Sequence, residues 1–215
     1  MTSNYQCSFG CNKWNPTEWK LVRTPRWKEM SHFLQEEDCI VNFMPDDIRP
    51  EDMQMGRDRT GETYVSMLYR QKISGSAQIS TTCSFDGRMA PLIVLAPKLF
   101  DSYEEHYEAV IYDCGVNLWR YHYENNQLSW ELVAFMDMPL AIGQKHELIV
   151  RVEQRQEGTF IFMDCHGRTV GCAVKDFPTE YYAGITACEG KNRFYDFKVE
   201  LAPRLPAALA ERFTS

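Results

Sequence analysis

The sequence predicts an all-β protein built as a two-sheet antiparallel sandwich, and three observations carry the prediction. Apolar and polar residues alternate with a period of two through segment after segment from Thr63 onward. Clusters rich in Gly, Asp, Asn and Ser, such as CSFDGR, MDCHGR and CEGKNR, separate those segments. Convincing helical periodicity is confined to two short stretches, DDIRPEDMQM and PAALAERF.

Taken in order, WNPTEWKLVRTPRW holds an early Trp-bearing strand, and DDIRPEDMQM reads as a turn of helix in a loop. ETYVSMLYRQ and SAQISTTCSF follow as strands. PLIVLAP is a continuous apolar run, suited to a strand buried on both faces. YEAVIYD alternates and leads into the hairpin NLWRYHYENNQLSWELVAF. In HELIVRVEQ, His146, Leu148, Val150 and Val152 point one way, and Glu147, Ile149, Arg151 and Glu153 the other. GTFIFMD, TVGCAV, YAGITAC and RFYDFKVEL bring the total to about ten to twelve short strands, enough for a sandwich or barrel. Pro206 suits the first position of a short C-terminal helix. One domain is expected over residues 1–215, its core about 14–201 and its tail 202–215.

Composition narrows the function classes. With 44% apolar and 25% charged residues the chain can bury a real core. A net charge of −7 and scattered Lys and Arg argue against a nucleic-acid partner. The N-terminal stretch reads as no signal peptide, and no apolar run approaches the roughly 20 residues that cross a bilayer. The expectation is therefore a cytoplasmic protein without a membrane partner. Eight cysteines (7, 11, 39, 83, 114, 165, 172 and 188) then read as reduced thiols. The nearest approaches to a zinc pattern are Cys7 with Cys11 and Cys165-His166 with Cys172, each short of a complete ligand set.

The hairpin is the most informative stretch. A two-residue type I′ loop at Asn125-Asn126 pairs Glu124 with Gln127 and fixes the register outward. Tyr123 then meets Leu128, His122 meets Ser129, Tyr121 meets Trp130, Arg120 meets Glu131 and Trp119 meets Leu132. One face carries Trp119, Tyr121, Tyr123, Trp130 and Leu132, and the other Arg120, His122, Ser129 and Glu131. The deepest aromatics are expected in the core. The polar face is expected to line a hollow.

The order of these signals, from the early Trp strand through KHELIVRVEQRQEGTFIFMDCHGRTVGCAV to YYAGITACEGKNRFYDFKVEL, resembles the concanavalin A-like lectin/glucanase jelly roll. The likeness is to its laminin-G and keto-disaccharide-hydrolase branches. It rests on a turn at Asp164-Cys165-His166-Gly167, a Gly-led strand Ala183-Gly184-Ile185-Thr186, and a last strand of the RFYDFKV type. It spans about Trp14 to Leu201. The resemblance implies a two-sheet jelly roll, a carbohydrate or glycoside ligand, and a structural calcium near the last strand, with Asp196 as a ligand. Asp46, Asp47, Glu51 and Asp52 read as a solvated acidic loop.

Three features of the family are missing. The E-x-D-x-x-E strand of the retaining glucanases is absent, and Glu108 and Asp113, five apart, fall on opposite faces of a regular strand. The galectin-type pattern is only echoed by His122 and Trp130-Glu131. The usual Gln/His loop is replaced by Thr186-Ala187-Cys188-Glu189.

The leading expectation is a sugar-recognising protein of bacterial sugar catabolism, with Trp119 and Trp130 stacking on the ligand and Arg120, His122 and Glu131 bonding its hydroxyls. The alternative is a glycoside hydrolase or keto-sugar enzyme using Glu108, Glu189, Glu131 and His122. Such an enzyme needs two carboxylates about 5–9.5 Å apart. A third possibility is a non-catalytic assembly subunit that buries the aromatic face against a partner.

Overall fold

The computed structural model describes residues 4–11, 13–24, 29–49, 57–87 and 89–201. β1 (Tyr5–Ser8) is followed by a 3₁₀ turn at Pro16–Glu18 and by three short strands, β2 (Trp19–Leu21), β3 (Phe33–Gln35) and β4 (Ile40–Asn42). Beyond a second 3₁₀ turn at Arg57–Glu62 come β5 (Val65–Tyr69), β6 (Ile73–Ser74), β7 (Ala77–Phe85) and β8 (Met89–Ala96). β9 (His106–Tyr112), β10 (Gly115–Glu124) and β11 (Gln127–Asp137) make one meander. β12 (His146–Arg155), β13 (Gly158–Cys165) and β14 (Arg168–Val174) make a second. β15 (Glu180–Ala187), β16 (Asn192–Phe194) and β17 (Asp196–Leu201) complete the described chain.

The strands form two antiparallel sheets. The front sheet runs β11-β10-β9-β8-β15-β5-β2, with β6 paired to β15. The back sheet runs β14-β13-β12-β7-β16-β4-β3, with β17 on β7 and β1 on β17. This is the predicted two-layer sandwich. The C-terminal helix expected after Pro206 and the stretch 50–55 lie outside the described residues; Asp46-Asp47 forms a turn.

Alternation places the main core between the layers. Leu148, Val150 and Val152 of β12 are buried there with His146 beside them, while Glu147, Ile149 and Arg151 turn outward, as the periodicity requires. From the front sheet, Met67, Ile93, Leu95, Ala109, Leu118 and Ile185 meet that layer. β8 is buried on both faces, as its continuous apolar run predicts. Ile93 and Leu95 face the main core, and Leu92 and Val94 face a second apolar cluster on the sheet's outer side. Gly184 is there because β5 approaches too closely for a side chain: a Cβ would sit 2.0 Å from the Met67 carbonyl oxygen.

The segment RFYDFKVEL, read as one strand, is two. Phe194 pairs with Cys83 and Lys198 with Ser80, so the chain facing β7 carries one extra residue, a bulge at Tyr195, whose amide still donates to the Thr82 carbonyl at 2.9 Å. The Thr82 amide facing the bulge donates to Asp196 Oδ1 at 2.7 Å, and the Thr82 hydroxyl donates to Oδ2 at 3.0 Å.

Candidate functional site

The hairpin register is the one derived from the Asn-Asn loop. Asn125 and Asn126 have φ of 51° and 62°, and every pair from Glu124–Gln127 to Trp119–Leu132 is in place. Beyond it Leu118 pairs with Ala134, so Val133 is a bulge residue that the simple register did not include.

The facing differs from expectation. On its other side β10 pairs with β9, setting Leu118 opposite Ala109 and Arg120 opposite Tyr107. Leu118, Ala109 and Tyr107 all belong to the main core, so Arg120, His122, Ser129 and Glu131 look inward, toward the margin of the gap between the sheets. Burial raises the Tyr107 phenol above its ordinary range, and the nearby Arg120 charge works against that rise. The aromatic members therefore occupy the outer face. Trp119 and Trp130 cannot share one ligand surface with Arg120, His122 and Glu131, because the sheet lies between them.

On that outer face the side chains form a shelf. Trp130 is 54% exposed, Tyr123 42%, Leu132 49% and Phe135 45%. Tyr121 lies buried beside Trp130, ring centroids 6.4 Å apart. Trp119 is half-buried next to the second apolar cluster, opposite Glu108 of β9.

One boundary of the shelf is the segment between β8 and β9. Its Asp101 carbonyl accepts from the Arg23 amide at 2.9 Å, and its Tyr103 amide donates to the Arg23 carbonyl at 2.8 Å. The segment is thereby drawn over the outer side of the sheet. Tyr103 packs with Val22, Leu68, Leu92 and Val94, where full burial of each aliphatic side chain contributes about 1.5–3 kcal/mol. Its hydroxyl meets Ser66 Oγ, which in turn lies 2.5 Å from Thr186 Oγ1. Burial pushes the phenols of Tyr103 and Tyr64 up, so both stay neutral. Where the segment meets the end of β10, Phe100, Tyr103 and Tyr123 border a cleft of about 320 Å³, with Lys98, Glu104 and Glu105 around it.

His106 and Glu108 lie at the base of this arrangement. The His106 ring is buried between Tyr103 and Tyr121, with centroid distances of 4.4 Å and 4.6 Å. Its Nε2 lies 3.3 Å from Glu108 Oε1. His106, Tyr103, Phe100 and Phe135 are not among the site residues expected from the sequence. The spacing His106-x-Glu108, which puts two chemistry-bearing side chains on one face of a strand, was the available signal.

The remaining candidates disperse. Glu108 is outside the front sheet, whereas Glu131 and His122 are inside it. His122 Nδ1 is buried without a hydrogen-bond partner. Glu189 stands at φ 52° in the connection that carries the chain from β15 to β16 in the other sheet. The neighbouring Arg193 pairs with Asp86 at 2.7 Å and Glu36 at 3.3 Å. Both Asp196 oxygens accept from Thr82, and Lys198 Nζ lies 3.8 Å from Oδ2. That setting does not fit calcium, which takes six to eight oxygen ligands. Among the described residues no three His, Cys, Asp or Glu side chains are grouped to hold a metal ion. The cysteines are all free thiols.

No family model matches the chain, and no curated protein matches it. Solved structures do. The carbohydrate-binding module CBM66 from Bacillus subtilis superimposes with a TM-score of 0.61 at 13% identity, over 85% of this chain and 95% of that one. Lectin II from Ulex europaeus gives 0.55 at 10% identity, over 92% and 97%. An endo-β-galactosidase from Clostridium perfringens that releases GlcNAcα1-4Gal gives 0.57 at 9% identity, over 91% of this chain and 60% of that one. At such identities the likeness is one of fold: the chain is a jelly-roll β-sandwich of the kind shared by carbohydrate-binding modules and legume lectins.

Proposed function

We propose that the chain binds a carbohydrate on the outer face of the front sheet. The observation that carries this reading is the exposed shelf of Trp130, Tyr123, Leu132 and Phe135 on the β10–β11 hairpin. Contiguous apolar surface of this kind marks an interaction site. Flat aromatic rings suit the apolar face of a sugar, while a few polar groups fix its orientation. Trp119 and Trp130 supply the stacking surface, and Glu108, beside Trp119, supplies an acceptor for hydroxyls. The jelly-roll likeness to carbohydrate-binding modules and lectins supports the same class of ligand. A glycosidase needs two convergent carboxylates, and Glu108 has Glu131 on the far side of its sheet.

The test is a glycan array followed by titration calorimetry on the best ligand. Trp130→Ala is expected to lose roughly tenfold or more in affinity, as the loss of an aromatic anchor covered by its ligand does. Arg120→Ala and His122→Ala are expected to bind as the parent does. Binding lost in the inward-facing variants and kept in Trp130→Ala overturns the reading. A dimer in sedimentation that dissociates in Trp130→Ala, with no glycan bound by the parent, assigns the shelf to a second copy of the chain.

A further inference from the structure

We infer that His106 is a positioning residue that holds Glu108 at the base of the shelf, and that it does so only while its ring carries a proton on both nitrogens. The ligand part of this inference rests on the carbohydrate reading; the proton itself does not. Nδ1 lies 3.1 Å from the Glu104 carbonyl oxygen, which can only accept, so Nδ1 carries a hydrogen. A neutral ring would then turn the lone pair of Nε2 toward Glu108 Oε1, 3.3 Å away, and two acceptors would face each other. A second ring proton removes the conflict. It converts the contact into a charge-assisted hydrogen bond between imidazolium and carboxylate.

Burial of the ring works against a charge there, and the stacked neighbours and Glu108 work for it. The ring is stacked nearly parallel to Tyr121, at 6°, and within 25° of Tyr103, so a cation here lies between two electron-rich faces. Every neighbouring element can be accounted for. From the crossing segment come the Tyr103 phenol and Glu104, whose carboxylate is paired with Lys98 at 3.3 Å. β10 brings Tyr121, and β9 brings Glu108. β8, on the other side of β9, has no titratable residue between Met89 and Ala96. The Tyr64 phenol, near Glu108, is neutral. Glu108 is thus the only anion in contact with the ring among the described residues.

The arrangement has a consequence for binding. Glu104 lines the cleft, Tyr121 lies beside Trp130, and Glu108 stands opposite Trp119. One ring therefore ties together the cleft, the stacking surface and the carboxylate. Loss of its second proton leaves Glu108 repelled by a lone pair and frees it to turn away. A ligand that uses Glu108 should therefore bind more weakly once that proton is lost.

Two measurements decide the matter. In the ¹⁵N spectrum of histidine-labelled protein at neutral pH, His106 is expected to show two protonated ring nitrogens; a single N–H overturns the inference, whatever the ligand is. In Glu108→Gln the side-chain amide donates to Nε2, so the contact survives without the extra proton. The parent is expected to lose thermal stability relative to Glu108→Gln as pH rises, and parallel curves overturn the inference. If a glycan binds, its affinity should fall with rising pH in the parent and stay flat in Glu108→Gln. If no glycan binds, the carbohydrate reading fails, and the ring-proton count and the stability curves still decide the role of His106.

Discussion

Arg120 and Glu131 face each other across the β10–β11 hairpin, Nη1 3.3 Å from Oε1, on the side of the sheet that carries Tyr107 and Leu118 into the core. Their side chains keep 28% and 53% of their exposure, so water still screens the pair. Partly exposed ion pairs contribute at most about 1 kcal/mol. Glu131→Gln should therefore lower the unfolding free energy in urea by less than about 1 kcal/mol. Glycan affinity should stay within about twofold of the parent, because the shelf is on the opposite face. A large loss of binding in this variant would move the ligand to the inner margin of the sandwich.

The same hairpin shows what is legible in the sequence and what is not. Asn125-Asn126 sets the register because a two-residue loop with both φ positive admits one pairing, and side chains then segregate by parity. Which parity faces the core is a different question, answered by the neighbour rather than the hairpin. β10 carries apolar side chains on both faces, Val116 and Leu118 on one and Trp119, Tyr121 and Tyr123 on the other. Its own pattern is therefore ambiguous. The decision comes from β9, where Tyr107, Ala109 and Ile111 are core and His106 and Glu108 are outside. β12 shows the contrary case: its charged residues, Glu147, Arg151, Glu153 and Arg155, sit on one parity alone, and its orientation could be read directly. The cleft was illegible for another reason. It depends on a segment pinned across the sheet by backbone bonds to Arg23, and a contact nearly eighty residues away in sequence leaves no local pattern.

Asp196 offers a test of what an acidic residue near the last strand is doing. Its carboxylate accepts the Thr82 amide that the Tyr195 bulge leaves without a ladder partner. Asp196→Ala strands that amide, at a cost of about 1–3 kcal/mol. Asp196→Asn keeps one oxygen acceptor and should recover much of the loss. Denaturant unfolding of the two variants separates this role from metal binding. Addition of calcium is expected to leave the melting temperature of the parent unchanged. A calcium-dependent rise that disappears in Asp196→Ala would assign the residue to a cation instead.

The thiols give a prediction in which the direction of titration matters. Only the thiolate is nucleophilic, so a group pushed above its ordinary range reacts more slowly at neutral pH. Burial raises Cys39 to about 12, helped by Glu36, and raises Cys165 and Cys172 to about 11. Cys7 and Cys83 are also shifted upward by burial. Cys11 and Cys114 are exposed. A disulfide reagent at neutral pH should therefore modify Cys11 and Cys114 quickly, with the buried Cys7, Cys39, Cys83 and Cys165 reacting only on unfolding. Peptide mapping of the modified sites checks the assignment. Rapid native-state labelling of Cys39 or Cys83 would mean that the edge where β3, β4, β7 and β16 meet opens far more readily than its packing implies.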